Sequence, residues 1–230
     1  MKIKAQYLTP FIFSTLISFA ADAPPAAPAP GADAAKAPAA AAAPATGKEP
    51  EFKGEALVIK KKLEELFETS KKVNSEGATK AKARADIEGA LDWDKVSELC
   101  LGKENYKKNA GKNFGEFRDL LKQVIIKTAF TRLDKFWTDT TYKIDSIDVK
   151  GNDAKVSARF FVKNEPFSLD YYFLKKNGKW SVYDISYEEL RYSVNINEQI
   201  DAFLKEKSFP GLLEKLKKRR AELDENSKKG

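Results

Sequence analysis

Apolar residues recur along this chain at two different periods, and the change from one to the other divides the foldable part. From Phe52 to Val73, Leu57, Leu63, Leu66 and Phe67 recur at helical spacing with a Lys/Glu-rich face opposite, which predicts a helix turning these residues toward a core. Gly77 breaks that pattern. Lys80–Leu91 and Trp93–Leu101 read as two shorter helices, the second entered through Asp92 as an N-cap and ended by Gly102. Phe114–Trp137 carries the strongest helical signal. Phe117, Leu120, Leu121, Val124, Ile125, Thr128 and Leu133 form a broad apolar face, with Glu116, Asp119, Gln123, Lys127 and Asp134 opposite.

The period then drops to two. Tyr142–Lys150, Asp153–Lys163, Pro166–Lys176 and Lys179–Tyr187 read as strands, separated by Gly151-Asn152, Asn164-Glu165 and Asn177-Gly178. In the second, Val156, Ala158, Phe160 and Val162 alternate with Lys155, Ser157 and Arg159. In the third, Phe167, Leu169, Tyr171 and Phe173 alternate with Ser168 and Asp170. Each apolar set should share one face of a four-stranded antiparallel meander.

Helix resumes over Glu188–Lys205, with Leu190, Val194, Ile200, Phe203 and Leu204 expected inward, and Pro210 opens a last helix through Leu212, Leu213 and Leu216. The fold class is α+β: one antiparallel sheet, polar on one face and covered on the other by helices from both ends of the chain.

The first fifty residues read differently. Lys2 and Lys4 precede an apolar, uncharged run from Leu8 to Ala20, and small residues follow. This is the pattern of a secretory signal peptide over 1–23, with cleavage after Ala20 or Ala23. The run is interrupted by Pro10 and is shorter than a spanning helix requires. Residues 21–50 contain 15 Ala and 7 Pro. They lack the side chains for a core, so 24–50 is expected to be a disordered tether. Residues 51–225 are left as one domain, with 226–230 a frayed tail.

Composition removes much chemistry. The 230 residues include no His, one Cys (Cys100) and one Met. That excludes a Ser-His-Asp triad, a Cys-His pair, a His-ligated metal and an internal disulfide. Asp145/Asp148 and Glu188/Glu189 are accompanied by no nucleophile motif, and the Gly-Lys pairs lack the spacing of a phosphate loop. No enzyme, cofactor or metal site is expected. The net charge is +7. Its clusters at Lys60–Lys62, Lys71-Lys72, Lys107-Lys108 and Lys217–Arg220 are interleaved with Glu64, Glu65, Glu214 and Glu222, as on solvated helix faces. Their functional alternative is attraction to anionic lipid heads or acidic partner surfaces. An exported chain does not meet chromatin, so no nucleic-acid partner is expected.

The segment Gly178–Leu216 brings Gly178, Trp180, Val182, Tyr183 and Asp184 together in one strand, followed by Asn195, then Phe209, Gly211, Leu212 and Leu216. Upstream stand Leu101-Gly102 and a Phe114–Leu121 stretch with Phe117 and Leu121. This spaced constellation, from about Ala85 to Leu216, resembles the MlaC/toluene-tolerance family of periplasmic phospholipid-binding proteins. The resemblance implies a soluble carrier moving phospholipid between an outer-membrane complex and an inner-membrane ABC transporter complex, and so a role in outer-membrane lipid asymmetry. It also implies acyl chains held between sheet and helices. Departures are Ile196 and Asn197 where the family has Tyr and Arg, Arg191 for Ser, and Glu189 for Gly. The entry of that helix should therefore differ.

On this reading an apolar cavity lies between two layers. The sheet contributes Val156, Ala158, Phe160, Leu169, Tyr171, Phe173, Trp180 and Val182. The helices contribute Leu121, Val124, Ile125, Thr128, Leu190, Val194 and Ile200. The expected protein is a periplasmic, monomeric phospholipid carrier without covalent chemistry. The alternative is an exported, tethered protein-interaction module in which the same residues fill an ordinary core.

Overall fold

The computed structural model describes residues 50–229 apart from 110, 112 and 164. The expected signal peptide, nearly all of the expected tether and the Asn164 half of one expected turn lie outside the described residues. Helices α1 (Gly54–Ser70), α2 (Gly77–Ala90), α3 (Trp93–Leu101), α4 (Lys103–Asn109) and α5 (Phe114–Trp137) precede the sheet. Strands β1 (Thr140–Lys150), β2 (Asp153–Val162), β3 (Glu165–Lys176), β4 (Lys179–Tyr187) and β5 (Leu190–Arg191) follow, then helices α6 (Tyr192–Glu206) and α7 (Phe209–Lys229).

Local chemistry accounts for most boundaries. Asp92 caps α3 by accepting from the Lys95 backbone N–H at 3.0 Å. Gly102 ends it at φ +78°, where a Cβ would stand 2.4 Å from Asn197 Nδ2. Glycine there is required by conformation and by close approach together. α4 is a helix the apolar pattern does not reveal. Its sequence KENYKKN has no buried residue, and it is held by Tyr106 against Phe114 (4.9 Å) and by Asn105 donating to Asp201 (2.6 Å). α7 runs on to Lys229, past the Leu223 limit of its apolar positions.

α5 is the spine. Its first half, with Phe117, Leu120, Leu121 and Val124, joins Cys100 and Leu101 of α3, Ile196 and Ile200 of α6, and Leu212 and Leu216 of α7 in a helical core. Further along the helix, Phe130 packs with Val73 and Ala83. At its end Phe136 and Trp137 reach the core of the sheet.

The strands pair antiparallel in the order β1-β2-β3-β4-β5. The sheet thus has five strands where periodicity predicts four. The fifth exists because Glu188 (φ +48°) and Glu189 (φ +67°) form a tight turn that folds Leu190 back onto Tyr187. Periodicity does not show this, because glutamate carries no turn signal. The pairing register also shifts between Ile144 and Ser146, where Asp145 is the extra residue of β1, and opposite Tyr172/Phe173, where Tyr183 is the extra residue of β4. Each bulge re-phases its strand. In β1 the apolar face passes from Tyr142 and Ile144 to Ile147 and Val149; in β4 it passes from Trp180 and Val182 to Ile185 and Tyr187. The re-phasing sends Asp184 and Ser186 to the opposite face, where both are buried.

Candidate functional site

The apolar face of the sheet carries Ile144, Ala154, Val156, Ala158, Phe160, Leu169, Tyr171, Phe173, Trp180 and Val182. All eight strand residues expected to line a site are therefore on one face. Their partner layer is different from the expected one. The element lying on this face is α1, through Ile59, Leu63 and Phe67 at successive i+4 positions. Leu57, expected to point the same way, precedes Ile59 by about 200° of helix rotation and is exposed.

The helical residues of the expected site separate into two groups. Leu121, Val124, Ile125 and Ile200 belong to the helical core, away from the sheet face. Thr128 is buried on α5, its hydroxyl donating to the Val124 carbonyl at 2.8 Å. Leu190 and Val194 are corrected: they are 68% and 49% exposed. The turn at Glu188-Glu189 delays α6 to Tyr192, so that Ser193 and Ile196 face inward in their place, alongside Ile200.

Aromatic rings concentrate where α1, the end of α5 and the sheet meet. Phe67 packs against Tyr142 (4.6 Å between centroids), Phe160 (5.4 Å), Tyr171 (5.4 Å) and Trp137 (5.7 Å), three of them edge-on. Phe136 and the Phe160–Phe167 stack at 5.4 Å extend the group. Of these rings, Phe67, Phe136, Trp137, Tyr142 and Phe167 are not among the expected site residues. Sequence does point to a core role for Phe67, but nothing in its period says which layer α1 meets. Burial pushes the Tyr171 hydroxyl well above its ordinary pKa, as expected of a phenol that stays neutral in an apolar setting.

The rim at the start of α1 is polar. Glu55 accepts from Lys175 Nζ at 2.8 Å and from Trp180 Nε1 at 2.6 Å. These two bonds hold its carboxyl below the usual glutamate range. Burial, with Lys179 nearby, lowers the pKa of Lys62 on the same helix. Other basic residues are paired: Lys60 with Glu64, Lys217 with Glu214 (2.8 Å) and Glu116 (3.0 Å), Arg219 with Glu222 (3.0 Å). Among the described residues, no three His, Cys, Asp or Glu side chains are grouped to hold a metal ion.

On the opposite face, the buried Asp184 accepts from the Ser193 backbone N–H (3.1 Å) and hydroxyl (2.6 Å) and lies 3.8 Å from Arg191 Nε. It serves a free N–H at the start of α6 from β4, where Arg191 at the N-cap position offers no side-chain acceptor. Asp92 and Asn197 tie α3 to its neighbours: the Asp92 N–H donates to the Val182 carbonyl (2.8 Å), and Asn197 Nδ2 to the Cys100 carbonyl (3.2 Å). The helical core is thus fixed to the sheet through β4, while α1 and the end of α5 cover the apolar face.

A family model described as MlaC protein matches residues 58–218. No curated protein matches the chain. Among solved structures, a phospholipid-binding protein from Ralstonia solanacearum, in complex with a phospholipid, superposes with a TM-score of 0.61 at 21% identity. That match covers 73% of this chain and 97% of the other, and it establishes a shared fold.

Proposed function

The chain belongs to the MlaC family, and from that premise we propose that it is a phospholipid carrier whose acyl chains enter between α1 and the apolar face of the sheet. The observation that carries this reading is the aromatic-rich, largely apolar interface that α1 and the end of α5 make with one face of the sheet. The phospholipid bound by the Ralstonia solanacearum protein of the same fold supports the choice of ligand.

The energetics require such a chamber. A 16-carbon chain in water costs on the order of 12 kcal/mol at about 0.8 kcal/mol per CH₂. A carrier must offer an interior comparable to the bilayer, so that loading and unloading are nearly neutral. Val156, Phe160 and Phe173 are fully buried and in contact with their neighbours. Loading therefore parts α1 from the sheet, and the ligand supplies the free energy by binding the parted state better.

The site of action in this proposal is the periplasm, reached through the Met1–Ala23 segment. The partners are an outer-membrane lipid complex and an inner-membrane ABC transporter complex. The protein performs no covalent chemistry, and direction is set by the partner that opens the chamber. The closeness of the packing favours one rival, an exported interaction module with a filled core. Transfer of a labelled phospholipid between donor and acceptor vesicles separates the two. A carrier raises the rate in proportion to its concentration; a filled module leaves it at the protein-free value.

A further inference from the structure

The chain has three tryptophans, and their indole N–H groups are not treated alike. Trp93 donates to the Glu88 carbonyl at 2.8 Å, and Trp180 donates to Glu55 at 2.6 Å. Trp137 Nε1 is buried and has no acceptor among the described residues. Buried donors in native proteins are nearly always paired.

The described neighbours of this indole are mainly aromatic rings. Trp137 is packed among Phe136 (4.9 Å), Phe67 (5.7 Å), Tyr142 (6.2 Å) and Phe160 (6.3 Å). Over its ring, 5.3 Å from the centroid, stands the exposed Lys71 ammonium, which is also paired with Glu68 at 2.5 Å. The indole therefore spans the depth from the charged surface to the apolar interior. A ligand that matches this gradient has an apolar body, one acceptor where the body ends, and an anionic group beyond it.

Taking the carrier reading as its basis, we propose that the Trp137 indole N–H donates to an ester carbonyl of the bound diacyl phospholipid. The protein thereby selects ester-linked over ether-linked lipids. The ester lies at the junction of chain and headgroup, where the indole lies at the junction of core and surface. Lys71 then faces the phosphate side of the ligand. An ether oxygen is a weak acceptor, and a dialkyl lipid leaves the N–H unmatched while filling the same apolar space.

The test offers full-length protein a mixture of diacyl phosphatidylglycerol and its dialkyl ether analogue in vesicles, and counts what it takes up. One neutral hydrogen bond is worth roughly a 2- to 13-fold preference, so wild type should favour the ester by that factor. Trp137→Phe, which keeps the aromatic packing, should show none. A second readout needs no substitution. In ¹⁵N spectra the Trp137 indole proton should move downfield on loading with the ester but not with the ether, and Trp93, paired within the helical region, serves as reference. Loading of both lipids without preference, a preference that survives in Trp137→Phe, or an indole shift that is the same for both lipids overturns the assignment and leaves the carrier reading standing. Uptake of neither lipid overturns both.

Discussion

Truncating Phe67 to alanine distinguishes a chamber from a core by the energy each recovers. Phe67 is 3% exposed and contacts four other rings within 6 Å. Removing a buried phenyl group typically costs about 3–5 kcal/mol, and each aromatic pair adds about 0.5–1.5 kcal/mol beyond burial. The lipid-free Phe67→Ala protein should therefore lose about 4–5 kcal/mol, close to the whole stability of a marginal domain. If acyl chains occupy the space between α1 and the sheet, three or four methylenes can fill the hole, each returning about 0.8 kcal/mol. The loaded variant should then lose only about 2 kcal/mol. By the thermodynamic cycle, the variant binds lipid more tightly by the difference, about 30- to 150-fold. Urea unfolding of delipidated and loaded protein, wild type and variant, measures all four corners. An equal loss with and without lipid would refute the reasoning, because the hole would then be one that lipid never reaches.

Three further outcomes are expected. Asp184→Ala should cost about 2–4 kcal/mol in urea unfolding, because it strands the Ser193 N–H and hydroxyl at the start of α6, whereas Asp184→Asn, which keeps an acceptor, should cost less; equal effects would mean that the cap is not the cause. Glu189→Gly should raise the melting temperature, since glycine removes the roughly 1–2 kcal/mol that an L-residue meets in the left-handed region, and an unchanged or lower value would deny strain at that turn. The lowered pKa of Glu55 means that its bonds to Lys175 and Trp180 contribute fully above the ordinary glutamate value of about 4.3 and are lost as pH falls through the lowered value. The stability gap between wild type and Glu55→Gln should therefore close on acidification through that window, and a gap that widens would reverse the sign assigned to the contact.

The fold was legible in the sequence where periodicity and turn chemistry agreed. Asp92, Gly102 and the Asn177-Gly178 turn mark ends that the structure keeps, and Trp93–Leu101, Phe114–Trp137 and Lys179–Tyr187 span the expected residues. The features that escaped have specific causes. Asp145 and Tyr183 each add one residue to a strand, which moves a side chain across the sheet without altering composition. Glu188 and Glu189 bend the chain with residues that announce no turn, and so Leu190 and Val194 came to lie outside. The candidate site was legible by halves. The alternation in β2 and β3 placed Val156, Ala158, Phe160, Leu169, Tyr171 and Phe173 on one face. Which helix lies on that face depends on the path of the chain, which the apolar stripe of α1 does not state.

Native mass spectrometry of the protein, purified without detergent, tests the carrier reading most directly. The expected result is a population heavier than the polypeptide by one phospholipid, which organic extraction releases as an intact diacyl lipid. A bare polypeptide mass that stays bare after incubation with phospholipid vesicles would contradict it, and would leave the sheet, α1 and their aromatic rings as the core of an interaction module.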